Sequence, residues 1–135
     1  MINARAEGIA SKPSFKKPLR FQRCIIPASA FFEWKGTPGT KVKYRIARKD
    51  GEFFGFGGLY ETWRDPSDPS GSEQATCSII TTQPNALVAP IHNRMPVILL
   101  REDEERWLDP DMTEPEEIAS LLRPYPADLL ETSRV

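Results

Sequence analysis

One histidine occurs in the 135 residues, His92, set in Pro90-Ile91-His92-Asn93-Arg94-Met95-Pro96. Its imidazole is the one side chain here whose ordinary pKa allows proton exchange near neutral pH. Standing alone, it reads more readily as a turn or core histidine satisfied by its neighbours. The second candidate is Glu33, inside the aromatic run Phe31-Phe32-Glu33-Trp34-Lys35. Period-two alternation puts Phe32 and Trp34 on one face of a strand and Phe31, Glu33 and Lys35 on the other. A carboxylate in such a run is either paired with a base or partly desolvated. Desolvation raises its pKa toward the range useful for proton transfer. A plain surface glutamate fits the pattern as well. Asn3, opening Asn3-Ala4-Arg5-Ala6-Glu7, is either a helix cap or an amide that orients a reacting carbonyl or phosphate. Arg5 and Arg94 carry planar forks suited to phosphate oxygens, or to the acids at 102–105. Cys24 and Cys77 read as buried structural thiols, with a hydrolase using Cys24, His92 and Glu33 as the competing reading.

Something must position these groups, and the composition narrows what it is. Hydrophobic residues make up 39% and charged residues 27%, ordinary values for a globular domain of this length. No apolar run approaches the ~20 residues of a membrane helix. No export signal is expected where Arg5 and Glu7 stand, and a reduced, cytoplasmic setting follows. Two widely spaced cysteines and one histidine argue against a zinc site. The net charge of −1 hides an asymmetry. Residues 1–64 hold 13 basic and 5 acidic residues, whereas residues 101–131 hold 3 basic and 11 acidic. Between Glu7 and Glu33 the charged residues are Lys12, Lys16, Lys17, Arg20 and Arg23, all basic. Such a run is either a solvated face or a phosphate-binding surface confined to one side.

Thirteen prolines and eight glycines argue for many short elements. A short helix is expected over Ala4–Glu7, fading before Pro13. Strands are expected at Cys24–Ile26 and Ala30–Lys35, separated by Pro27. The alternation in Lys43–Arg48 predicts a strand that turns at Asp50-Gly51 into a hairpin partner. That partner, Glu52–Trp63, is aromatic and glycine-rich, with Gly57-Gly58 marking a bulge or a close backbone approach. Asp65–Ser72 reads as a loop, Ala75–Thr81 and Pro96–Leu100 as strands. Glu102–Leu108 and Glu114–Leu122 read as helices, the second with Ile118, Leu121 and Leu122 on one face. The fold class expected is mainly β (α+β): a curled or closed, barrel-like mixed sheet with short peripheral helices.

Taken in order and at these separations, three segments resemble the SOS response-associated peptidase family. They are Asn-Ala-Arg-x-Glu, the Cys24-x-x-Pro27 strand leading to Phe-Phe-Glu-Trp, and His-x-Arg-Met-Pro. Family members are abasic-site processing proteins that crosslink to damaged single-stranded DNA. The resemblance runs from Ile2 to about Val135, which implies one domain over residues 1–135. It implies that Asn3, Glu33 and His92 correspond to the family's catalytic asparagine, glutamate and histidine. Arg5 and Arg94 correspond to phosphate-contacting arginines and Trp34 to an aromatic beside the DNA, while Lys16 and Lys17 are expected to line the same basic cleft. The family's nucleophile is a cysteine directly after the initiator methionine. Its thiol and α-amine close on the aldehyde of a ring-opened abasic sugar to give a thiazolidine, and a peptidase activity removes residues preceding it. Here Ile2 follows Met1, so the chain is expected to lack the family's N-terminal portion and its extreme C-terminus. The implied partner is single-stranded DNA with abasic sites, in the DNA damage (SOS) response. No metal or organic cofactor is implied. A single-stranded DNA-binding remnant without the chemistry is the alternative.

Overall fold

Runs of alternating apolar residues form eight strands in the computed structural model, which describes residues 4–135. Asn3 lies outside the described residues. The strands are β1 (Ala4–Arg5), β2 (Arg23–Ala28), β3 (Phe31–Lys35), β4 (Val42–Arg48), β5 (Phe54–Trp63), β6 (Gln74–Thr82), β7 (Met95–Pro96) and β8 (Leu130–Arg134). One sheet runs β1-β6-β5-β2 with β7 also on β6, and the other runs β3-β4-β8. The β1–β6 pair is parallel and the other strand pairs are antiparallel, so the expected mainly-β, mixed character holds. Closure into a barrel does not occur. Two open sheets face each other instead.

The alternation along β5 explains the layering. Phe54 and Phe56 point toward the second sheet and pack with Ile46, Val88, Met95, Ile98, Tyr125 and Leu130. Leu59 points the other way, into a core shared with Ile80, Val97, Leu99, Trp107, Ile118 and Leu122. That second core is roofed by three helices, α1 (Lys16–Phe21), α2 (Arg101–Leu108) and α3 (Pro115–Ala119). The order is therefore helices, sheet, sheet. Gly57 keeps the helical layer close, since a Cβ there would meet Val97 Cγ1 at 3.4 Å and Leu122 Cδ2 at 3.7 Å. The register through Gly57 and Gly58 is uninterrupted against β2. The glycine pair is a close approach, and no bulge forms.

Several expectations need correcting. Ala4–Glu7 is not a helix: Ala4 and Arg5 pair with Ile80 and Thr81 of β6, and a 3-10 turn follows at Ala6–Gly8. Burial of Ala4 and Ile9 on the sheet outweighs weak local helix propensity. Pro27 does not break β2, because β2 is an edge strand where a missing N–H is tolerated. The turn at Asp50-Gly51 forms, with Gly51 at φ 76°, yet β4 and β5 do not pair. Each is claimed by other strands, and the turn carries the chain from one sheet to the other. Of the expected strand 96–100 only Pro96 falls in a regular strand, β7. The segment still hydrogen-bonds as a strand, with Gly57 N–H donating to Val97 O (2.9 Å) and Leu99 N–H to Gly55 O (2.9 Å). It wedges into the gap where β6 leaves β5. The helix expected to reach Leu122 stops at Ala119. Leu121 and Leu122 are both buried and adjacent, and Pro124 forces the residue before it out of helical geometry. Conversely α1 goes unforeseen because of Pro18, which is tolerated in its first turn.

Candidate active site

Glu33 sits in β3, an edge strand of the smaller sheet, with Tyr44 opposite. Phe31 on the same face packs into the inter-sheet core, which turns the Glu33 carboxylate inward. Its side chain is 23% exposed. Burial raises its pKa above the ordinary carboxylate value, and the nearby His92 charge opposes this only in part. On the other face, Phe32 and Trp34 are 41% and 47% exposed. Lys43 Nζ lies 4.6 Å from the Phe32 ring centre and 5.5 Å from that of Trp34. The alternation expected for this strand is therefore observed, and Trp34 is a surface residue.

His92 ends a turn that the sequence holds from both sides. Upstream, Asn85 Oδ1 accepts from the N–H groups of Leu87 (3.1 Å) and Val88 (3.0 Å), and Asn85 Nδ2 donates to Tyr125 O (2.7 Å). Val88 O then accepts from Ile91 N–H (2.8 Å) and His92 N–H (2.9 Å). Downstream, Met95 is buried and pairs with Thr82, while Pro96 pairs with Thr81. Between these anchors His92 Nε2 stands 3.8 Å from Glu33 Oε2. That spacing is too long for a direct hydrogen bond and suits a shared substrate atom or water.

The other ring nitrogen faces the main chain of Arg94. Arg94 N–H lies 3.2 Å and Arg94 O 3.1 Å from His92 Nδ1. The N–H serves the tautomer in which Nδ1 is bare, and the carbonyl serves the one in which Nδ1 carries hydrogen. Nδ1 therefore has a main-chain partner in either tautomer, and Nε2 is the nitrogen left facing Glu33.

Glu33 and His92 share a cavity of ≈ 550 Å³ with Arg5 and Arg94. Cys77, Ser78, Ile79 and Thr81 of β6 complete much of its wall. Four of the residues singled out from the sequence are thus brought together. Trp34 lies outside the lining, on the far face of β3. Lys16 and Lys17 do not share this cleft as expected: α1 packs against α3 in the helical layer, beside the acids Glu116 and Glu117. Arg23 leaves the basic cluster for a structural reason. Its guanidinium donates to Trp107 O (2.6 Å), Leu19 O (2.7 Å), Arg20 O (3.0 Å) and Asp109 O (2.6 Å), capping the ends of α1 and α2. Arg94 does not bridge the acids at 102–105: its fork grips Glu7, and that contact holds the Glu7 carboxyl below its ordinary pKa.

Neither cysteine is placed as expected for a nucleophile or a core residue. Cys24 is half-buried and outside the cavity lining, and burial pushes its thiol up to about 11. A thiol so disfavoured as thiolate is a poor nucleophile, which removes the hydrolase reading. Cys77 is exposed and lines the cavity, contrary to the buried role expected. Asn85 and Thr81 are the supporting residues that sequence reasoning missed. Pro84-Asn85 is an Asx-turn signal that could have revealed the first; nothing local marks the second. Among the described residues no three His, Cys, Asp or Glu side chains gather to hold a metal ion, and no helix is long and apolar enough to cross a membrane.

The chain has clear relatives. The family model for SOS response associated peptidase (SRAP) matches residues 1–135. Abasic site processing protein YoqW of Bacillus subtilis is 53% identical over 136 residues, covering 100% of this chain and 59% of that protein. Abasic site processing protein HMCES of Gallus gallus is 32% identical, covering 90% of this chain and 42% of its own length. A crystal structure of a protein from Bacteroides thetaiotaomicron superposes with a TM-score of 0.88 at 41% identity, over 98% of this chain and 57% of that one. The chain thus spans about three fifths of YoqW.

Proposed function

Because the chain belongs to the SOS response associated peptidase (SRAP) family, we propose that its Glu33–His92 cavity performs the acid–base part of abasic-site processing in single-stranded DNA. The observation that carries this reading is the pair itself: a carboxyl with raised pKa and the only imidazole, 3.8 Å apart in a cavity that also holds Arg5 and Arg94. An abasic sugar in its open form presents an aldehyde. An amine adds to the carbonyl carbon, and loss of water leaves an imine. A protonated Glu33 supplies the proton that lets hydroxide depart as water. The nitrogen proton returns to Glu33 as the imine forms; a thiol then adds to the imine carbon, and His92 takes the thiol proton and passes it to the nitrogen. The product is a thiazolidine plus one water. The same two groups fit hydrolysis of a peptide bond preceding the reacting cysteine. In this reading Arg5 contacts the phosphates, Arg94 does so in competition with Glu7, and Trp34 and Phe32, beside Lys43, offer a surface on which bases stack. Asn3 belongs to the same proposal as the group that orients the sugar.

Supplying the nucleophile separately tests this. A short peptide beginning with cysteine is mixed with a single-stranded oligonucleotide carrying one abasic site, with and without the chain. The chain is expected to speed thiazolidine formation by about a hundredfold, the low end of positioned acid–base catalysis. Glu33→Gln and His92→Ala should each remove most of that gain. Without the peptide no thiazolidine should form, since Cys24 and Cys77 carry no free α-amine. Acceleration that survives both substitutions would refute the assignment. Binding that weakens steeply with salt, but with no acceleration, would leave the chain a single-stranded DNA-binding module.

A further inference from the structure

Arg94 is a largely buried cation, its side chain 17% exposed. Nη1 and Nη2 donate to the two carboxylate oxygens of Glu7 at 2.9 Å each, and Nη2 also donates to Thr81 Oγ1 at 3.0 Å. Among the described residues, Arg94 Nε is buried with no acceptor. The carboxylate of Glu7 is therefore what keeps this guanidinium in place; a buried cation that loses its counter-charge moves toward water. The same residue presents, through its main chain, both groups that face His92 Nδ1. Side chain and peptide are two ends of one short lever. Glu7 itself is fixed by the turn at Ala6–Gly8, which follows directly from the β1–β6 pairing.

We propose that Glu7 is a positioning residue for the reaction: by clamping Arg94 it holds the Arg94 peptide against His92 Nδ1 and so sets how the imidazole proton is shared between Nδ1 and Nε2, the nitrogen that faces Glu33. Glu7 makes no hydrogen bond or ion pair with Glu33 or His92; its direct bonds are to Arg94, with the Arg5 charge nearby. The Arg94 fork is thereby shared between two tasks, and a phosphate reaching it must compete with a carboxylate already bound in bidentate fashion.

The inference rests on the reading of Glu33 and His92 as the reacting pair, so its test avoids DNA and reads the imidazole directly. With one histidine in the chain, a long-range ¹H–¹⁵N spectrum reports the His92 tautomer without ambiguity. Glu7→Gln keeps the shape and removes the charge, and it serves as the primary variant in case Glu7→Ala fails to fold. At a fixed pH the tautomer ratio is expected to change about three- to tenfold in Glu7→Gln, the equilibrium equivalent of one hydrogen bond. Arg94→Ala should give a change of the same sign, and adding the Glu7 substitution to it should change nothing further. Glu7→Asp, which restores charge at shorter reach, should recover part of the ratio. A ratio unaltered in Glu7→Gln would overturn the proposal, as would additive effects of the two substitutions. Loss of thermal stability alone, with the tautomer unmoved, would make Glu7 a merely structural residue and would leave the proposed DNA chemistry untouched.

Discussion

Replacing Asn85 with alanine should cripple the site from 7 residues away in sequence. Three hydrogen bonds leave with the side-chain amide: two N–H groups donating to Oδ1, from Leu87 at 3.1 Å and Val88 at 3.0 Å, and Nδ2 donating to Tyr125 O at 2.7 Å. All three are half-buried, so water replaces them poorly. At a net ~1 kcal/mol each, the loss is about 3 kcal/mol of folding stability. For a domain of this length that is roughly 10 °C in Tm. The damage is not evenly spread, because Val88 O receives the N–H groups of Ile91 and His92. Freeing Val88 lets the whole turn drift, and a 1 Å error between His92 and Glu33 can cost about a hundredfold in rate. Urea unfolding gives the first quantity and the cysteine-peptide assay, run well below the transition, gives the second. Asn85→Asp is a useful companion. It keeps the two accepted bonds but sets a carboxylate oxygen against Tyr125 O, so it should fare little better than alanine. A loss below about 1 kcal/mol would show that the turn is held by its prolines and Met95 instead. Full destabilisation with an unchanged rate would show that the turn does not set the Glu33–His92 distance.

Two further outcomes follow from the charges. Burial raises the pKa of Glu33 in the folded protein above its unfolded value, so the folded state binds the proton more tightly. The stability this gives is present below the unfolded carboxylate pKa and is lost as pH rises through the folded pKa. Glu33→Gln, which never ionises, should therefore gain in Tm relative to the parent as pH rises from below the ordinary carboxylate pKa through the raised one, while activity falls; a Tm difference independent of pH would contradict the burial argument. Arg23→Met should cost about 3 kcal/mol, since four carbonyls at the ends of α1 and α2 lose a charged donor. It should leave the salt dependence of oligonucleotide binding unchanged, and a flatter salt slope would restore Arg23 to the phosphate surface.

What could be read from the sequence was whatever rests on periodicity within one element. The alternation in 31–35 correctly divided Glu33 from Phe32 and Trp34, and the spacing of strands and turns gave the β-rich fold class, whereas the division into two open sheets was not foreseen. Long-range pairing was not legible. Nothing local in Ala4-Arg5 announces a parallel partner 76 residues away at Ile80 and Thr81, and the helix expected there was the local answer to a non-local question. The same holds for the hairpin expected at Asp50-Gly51. A turn signal fixes that the chain turns and says nothing of which strands then pair. Charge was the weakest guide. Arg23 stood in a run of basic residues that reads as one surface, yet it is absorbed by backbone carbonyls. Lys16 and Lys17 follow α1 into the helical layer, away from the cavity.

The edge position of β3 ties these observations together. An interior strand would bury Glu33 between two neighbours, where an unpaired carboxyl is costly to keep. An exposed loop would leave it with an ordinary pKa. On an edge strand, one flank of Glu33 packs beside Phe31 and Tyr44 while the other opens onto the cavity. The carboxyl is desolvated enough to hold its proton more tightly and open enough to be reached from the cavity, as the proposed acid–base role requires. His92 meets the complementary requirement: its side chain is 41% exposed, yet its Nδ1 is matched to a fixed peptide whichever tautomer it adopts. One partner is tuned by burial and the other by orientation. Substitutions that alter packing around β3 should therefore act on the pH at which the site works, and those in the 85–96 turn or at Glu7 should act on how fast it works at any pH.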